Sequence, residues 1–175
     1  MLLSVGILGG CTSQAKSSSN DSQQVALADN LTVSLKQAIS IYQKTYPKTD
    51  IISIDLEKSL NKKIYRVEGV DDYKEYQINI NAANQKISHK REENLESDDR
   101  NGAKRVDKIN LQNLLSIKKI AQIAEKELNN SKATEFSLEQ EVGVTYWEVT
   151  VKSGLKEKEV KIDAQKGTVL KVDTD

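Results

Sequence analysis

This chain of 175 residues has one histidine and one cysteine, the two side chains most readily recruited to nucleophilic, general-base or zinc chemistry. His89 stands beside Lys90 and Arg91 at the end of an expected strand. It has no nucleophile and orienting acid around it and reads as a surface imidazole. A single Cys cannot close an internal disulfide, and one Cys with one His cannot complete an ordinary zinc site. The run Ser97 to Gly102 invites comparison with a calcium loop, because Gly102 in the sixth place puts Asp99 third and Asn101 fifth. The first place is then Ser97 and the twelfth Lys108, so both anchoring carboxylates are missing. No HExxH, G-x-S-x-G, P-loop or G-x-G-x-x-G is present. The expectation is a protein that is not an enzyme, with no catalytic residues, no cofactor and no metal. With 26 basic and 26 acidic side chains the net charge is zero, which removes the broad basic field of a nucleic-acid binder and the argument for a polybasic membrane anchor.

Cys11 has a different chemistry open to it. Residues 1–10, MLLSVGILGG, are uncharged and mostly apolar, half the length that a bilayer span needs. They suit the apolar part of a signal peptide, truncated because no positive segment precedes it. Leu8-Gly9-Gly10-Cys11 resembles the bacterial lipobox, which implies cleavage before Cys11 and a diacylglyceryl thioether on its sulfur. Residues 11–30 are rich in Ser, Gln, Asn and Ala, a composition too polar to bury a core, and read as a lipidated tether. The expected location is the extracellular face of a bacterial cytoplasmic membrane.

The elements behind the tether repeat. At an offset of 82 the chain matches itself without gaps from about Val33 to Ile87. Lys36 falls on Lys118, Leu56-Glu57 on Leu138-Glu139, Val67 on Val149, Tyr65 on Trp147 and Ala82 on Ala164. Each copy opens on a helical stripe. Leu35, Ala38, Ile39, Tyr42 and Tyr46 form the first, behind Ser34 as N-cap and ended by Pro47. Ile117, Ile120, Ala121, Ala124 and Leu128 form the second, behind Ser116. The period then drops to two: Phe136/Leu138, Trp147/Val149/Val151 and Val160/Ile162/Ala164 alternate with polar residues, as half-buried antiparallel strands do. Turns are expected at Asp71-Asp72 and Ser153-Gly154. The fold class is α+β: two tandem units, residues 31–90 and 113–175, each one helix on a small antiparallel sheet of three or four strands. Residues 91–112 read as a charged, solvated linker with a helical turn near Val106 to Leu111.

Tyr146 and Ile64 occupy equivalent positions and point away from Trp147 and Tyr65 on their strands. An aromatic on an open sheet face is a candidate protein contact, and these two are the residues selected. The alternative is that the two units pack together through them.

The segment Val160 to Leu170, with Asp163-Ala164, a turn closed by Gly167 and a short apolar strand, resembles the PepSY domain. The first copy, Asn81 to Ile87, keeps the Ala but lacks the Gly, and Asn84 is the residue expected to take the left-handed turn conformation there. PepSY domains occur in propeptides of thermolysin-like metalloproteases, in a spore-cortex germination protein and in envelope lipoproteins. The resemblance implies protein binding, with an envelope or secreted peptidase as partner and inhibition or regulation as outcome. The competing reading is a lipoprotein that binds a small apolar ligand. A filled layer between helix and sheet favours the first, and a cavity of several hundred Å³ the second.

Overall fold

The computed structural model describes residues 26–174. Cys11, residues 1–10 and most of the expected tether lie outside the described residues. The tether's last residues do not behave as tether: Ala26 and Leu27 are buried, and the Leu27 N–H donates to the Ala133 carbonyl at 3.0 Å. A small apolar pair inside a Ser-rich run already belongs to the folded head.

Both helices begin where the serine caps place them. α1 spans Leu35–Thr45 and α2 spans Ile117–Ala124. Ser34 and Gln37 form a reciprocal capping box, and the Ser116 hydroxyl accepts from the Lys119 N–H at 3.3 Å. Such caps contribute about 1 kcal/mol each. The buried residues of the helices are Leu35, Ala38 and Tyr42 in the first and Ile117, Ile120, Ala121 and Ala124 in the second. A 3₁₀ turn, Glu125–Glu127, continues α2.

Four strands follow each helix: β1 (Asp50–Ser59), β2 (Lys62–Val70), β3 (Lys74–Asn81) and β4 (Ile87–Asn94), then β5 (Lys132–Glu141), β6 (Val144–Ser153), β7 (Lys156–Asp163) and β8 (Val169–Thr174). The two small sheets expected from the repeat are in fact one. All eight strands form a single antiparallel sheet in the order β4-β3-β2-β1-β5-β6-β7-β8. The units join where β1 pairs with β5, with Ile54 opposite Leu138, Asp55 opposite Ser137 and Leu56 opposite Phe136. Under the offset of 82, Asp55 corresponds to Ser137, the residue it faces. The junction therefore maps onto itself, as a local two-fold axis through that pair requires. Joining the first strands also removes two exposed edges from the sheet.

One face carries the core. Ile54, Leu56, Tyr65, Val67, Ile78, Ile80, Phe136, Leu138, Trp147, Val149, Val160 and Ile162 cluster there with the buried helix residues. Trp147 meets Phe136 edge-on, with centroids 6.1 Å apart. The equivalent Tyr65 donates its hydroxyl proton to the Val33 carbonyl at 3.0 Å, whereas the Trp147 Nε1 is buried without a partner.

The segment between the units is mostly exposed but is pinned at several points. β4 extends to Asn94, and the helical turn is a 3₁₀ turn at Ala103–Asp107, three residues earlier than expected. Arg105 bridges Asp50 at 2.6 Å and Asp72 at 2.8 Å, and Lys108 reaches Asp50 at 2.5 Å. Ile109 is buried and its N–H donates to the Ile51 carbonyl at 2.9 Å. Leu95 caps a second small cluster with Ile52 and Val70. Periodicity could not show this, because the attachments are ion pairs and isolated apolar residues.

The turn after β7 has the geometry its sequence calls for. The Asp163 carboxylate accepts from the Gln165 N–H at 3.0 Å and the Lys166 N–H at 2.8 Å, and Gly167 is left-handed at φ 75°. The Lys166 N–H foremost, with the Gln165 N–H and the Lys166 side chain, holds this carboxyl below its ordinary range despite burial. In the first copy the left-handed residue is Gln85 (φ 64°), the equivalent of Gly167, and not Asn84. Asn84 instead accepts from the Lys86 N–H through its side chain. A Cβ on Gly167 would lie 3.0 Å from the methyl groups of Leu115 and Ile123. Gly167→Ala is expected to lose about 1–2 kcal/mol, and Gln85→Gly, at an exposed position, to gain up to about 1 kcal/mol. Thermal melts of the two variants, moving in opposite directions, check this.

Candidate protein-binding surfaces

Tyr146 is not the free contact that alternation suggests. It lies on the sheet face away from the helices but is only 6% exposed. Its hydroxyl donates to Glu139 at 3.0 Å, and the Lys161 ammonium sits 3.9 Å above its ring. Burial, then the Glu139 hydrogen bond, raises the phenol above its ordinary range. Ile64 is half-buried on β2, opposite Asn81. It is three strands away from Tyr146, with β1 and β5 between them, so the structure does not bring these two residues together. Nor do the units pack face to face through them, since they are joined edge to edge.

What covers Tyr146 is a layer of long polar side chains. Across the junction, the Ser137 hydroxyl donates to Asp55 at 2.7 Å, and Arg66 lies 3.6 Å from Asp55 and 2.7 Å from Glu57. Burial pushes the carboxyls of Asp55, Glu68 and Glu148 up. His89 is exposed on the edge strand β4, opposite Asn79. Among the described residues no cluster of three or more His, Cys, Asp or Glu could hold a metal ion.

The helix face carries the candidate site that residue-by-residue reading missed. The layer between helices and sheet is filled by Tyr65, Trp147, Phe136 and their neighbours. Between the N-terminal halves of α1 and α2, however, a groove of about 960 Å³ opens to solvent. Its lining is paired by the repeat: Ser34 with Ser116, Leu35 with Ile117, Lys36 with Lys118. Leu31, Ile39, Leu111, Leu114 and Leu115 add apolar surface, and no Asp or Glu is among the lining residues. Neither helix has an acidic residue in its first turn, so the positive ends of both dipoles face the same space. The groove exists only because two units are joined. The signal for it was present in the repeat, as two serine caps each followed two residues later by a lysine.

No curated protein matches the chain. Its fold matches the crystal structure of a candidate lipoprotein from Clostridium difficile 630, with a TM-score of 0.82 and 35% sequence identity over 86% of this chain and 99% of that one. The family model described as "Peptidase propeptide and YPEB domain" matches twice, at residues 32–88 and 114–173. Those two spans coincide with the two helix-and-four-strand repeats that the offset of 82 defines, and the chain belongs to the PepSY family, with two copies of the domain in one sheet.

Proposed function

We propose that this chain is a membrane-tethered, extracellular protein-binding module that regulates an envelope or secreted peptidase. The observation that carries the reading is the groove between α1 and α2, with an apolar floor, lysines on its rim and no acid in its lining. Such a surface suits an extended segment of a partner protein with apolar side chains and a carboxylate. The family assignment supports a propeptide-like or regulatory role, and the likeness to a candidate lipoprotein supports the anchor. Cys11 is the proposed point of lipid attachment. The module acts by stoichiometric binding, without turnover, cofactor or nucleic acid. With zero net charge overall, association is unsteered and of ordinary rate, about 10⁵–10⁷ M⁻¹s⁻¹.

The volume of the groove sustains one other reading, a small apolar ligand, since such sites span about 300–1,000 Å³. One titration separates them. Every core residue among the described residues lies within 26–174, and residues 12–175 contain them all. Added to a thermolysin-like peptidase from the same organism, they are expected to inhibit saturably, with completion near one-to-one. Absence of inhibition, or steady consumption of the chain as substrate, would overturn the regulatory reading.

A further inference from the structure

The zero net charge of the chain conceals a separation that only the fold reveals. Four hairpin tips carry exposed apolar side chains: Leu60 (93% exposed), Tyr73 (61%), Val142 (97%) and Leu155, fully exposed. They are repeat equivalents in two pairs, Leu60 with Val142 and Tyr73 with Leu155. Leu60 and Val142 are also left-handed, at φ 46° and 49°. That conformation is unusual for bulky side chains and a genuine outlier for Val.

Strand order sorts the tips by end. Lys132 at the start of β5 pairs with Lys152 at the end of β6, which pairs with Glu157 beyond the Leu155 tip. β1 runs antiparallel to β5 and reaches the same end at Ser59. Leu60 and Leu155 therefore share one end of the sheet, three strand spacings or about 14 Å apart. Tyr73 and Val142 share the other. Three residues to either side of Leu60 and of Leu155 there are three Lys and one Glu, a net +2 at each tip. The same windows around Tyr73 and Val142 each carry a net −2. Arg105 offsets one charge at the Tyr73 tip through Asp72, and the tips at the two ends still differ in sign where the local two-fold would make them alike.

At the basic end Glu157 is paired with Lys152 at 3.0 Å, and Lys158 donates to the Glu127 carbonyl. Lys63 is held by the carbonyls of Ala26 and Asp29. Lys58, Lys62, Lys132 and Lys156 are exposed, without an ion pair among the described residues. The chain also enters the head at this end, since Leu27 bonds to Ala133 on β5 and Ala26 to Lys63 on β2.

We infer that this end is a membrane-docking surface for an anionic bilayer, with Leu60 and Leu155 entering the headgroup region and the four exposed lysines meeting lipid phosphates. Apolar side chains at the interface together with lysines near anionic lipid are the two terms that hold peripheral proteins on membranes. The inference rests on the anchored location proposed above only for having a membrane nearby. The docking itself needs no lipid on Cys11, so the two can fail separately.

The test is flotation of unlipidated residues 12–175 with vesicles of phosphatidylglycerol and phosphatidylcholine, against vesicles of phosphatidylcholine alone. Association is expected to be about tenfold stronger on the anionic vesicles and to weaken as salt rises. Leu60→Glu with Leu155→Glu should abolish it, while Tyr73→Glu with Val142→Glu should leave it intact. These side chains are exposed, so all variants should melt like the parent. If the leucine pair disturbs folding, Lys62→Glu with Lys156→Glu reads the same surface. No association, equal association with both vesicle types, or equal loss from the acidic-end variants would overturn the inference.

Discussion

Trp147→Ala is expected to destabilise the fold by about 3–5 kcal/mol. The indole is fully buried, packed edge-on against Phe136 and among the core residues beneath α2. Its removal leaves a void that a sheet fixed on both sides by ladders cannot close. Against a typical domain stability of 5–15 kcal/mol this takes a large share. Denaturant unfolding followed by far-ultraviolet circular dichroism measures it, since the variant has lost its only tryptophan. Tyr146→Ala, one residue away, should cost less, about 1–2 kcal/mol, because it forfeits one hydrogen bond and a cation–π contact at the edge of solvent. Equal losses would mean that the polar face contributes as much as the core.

Gly69→Ala is expected to be nearly as damaging, at about 3 kcal/mol, for the opposite reason. A Cβ there would fall within 2.6 Å of the Asp50 carbonyl and overlap the Tyr42 hydroxyl. The carbonyl belongs to β1 and cannot move without opening the β1–β2 ladder. Tyr42 is buried under α1, where Thr49 donates to its hydroxyl at 3.2 Å. The same unfolding experiment checks this, with Val70→Ala as a control that only shrinks a side chain.

Local patterns in the sequence foretold the local structure. Two serine caps, two apolar stripes and period-two runs placed both helices and the strands of the second unit, and the offset of 82 placed those of the first. What the patterns lacked was any term for pairing between distant strands. β1 and β5 each read as an amphipathic strand, complete in itself, and nothing in alternation says which edge a strand offers. The clue lay in the register: Asp55 and Ser137 are equivalents, and a strand that pairs with its own copy must place equivalents opposite each other. The anchor points of the linker were not legible for a related reason, because Arg105 and Lys108 find their acids on β1 and the β2–β3 turn, more than thirty residues away.

The candidate site was less legible. Alternation correctly sent Tyr146 to the face opposite the helices, but on a broad sheet long side chains cover one another, and Lys161 and Glu139 enclose the ring. The groove depends on how two helices lie across one sheet, and the charged ends depend on which hairpins share an edge. Both are properties of the joined sheet. Zero net charge, a correct sum, says nothing of where the charges sit, because the fold segregates what the composition averages.

The central claim is that two PepSY repeats, joined through β1 and β5, create a groove that holds a segment of a regulated peptidase. The most direct measurement is the peptidase titration repeated with Lys36→Glu and Lys118→Glu together. Both lysines are exposed on the groove rim, so the variant should unfold like the parent. The account predicts that the inhibition constant rises about tenfold or more, since like charges then face the partner's carboxylate. Inhibition by the folded variant at the parent's constant would contradict it.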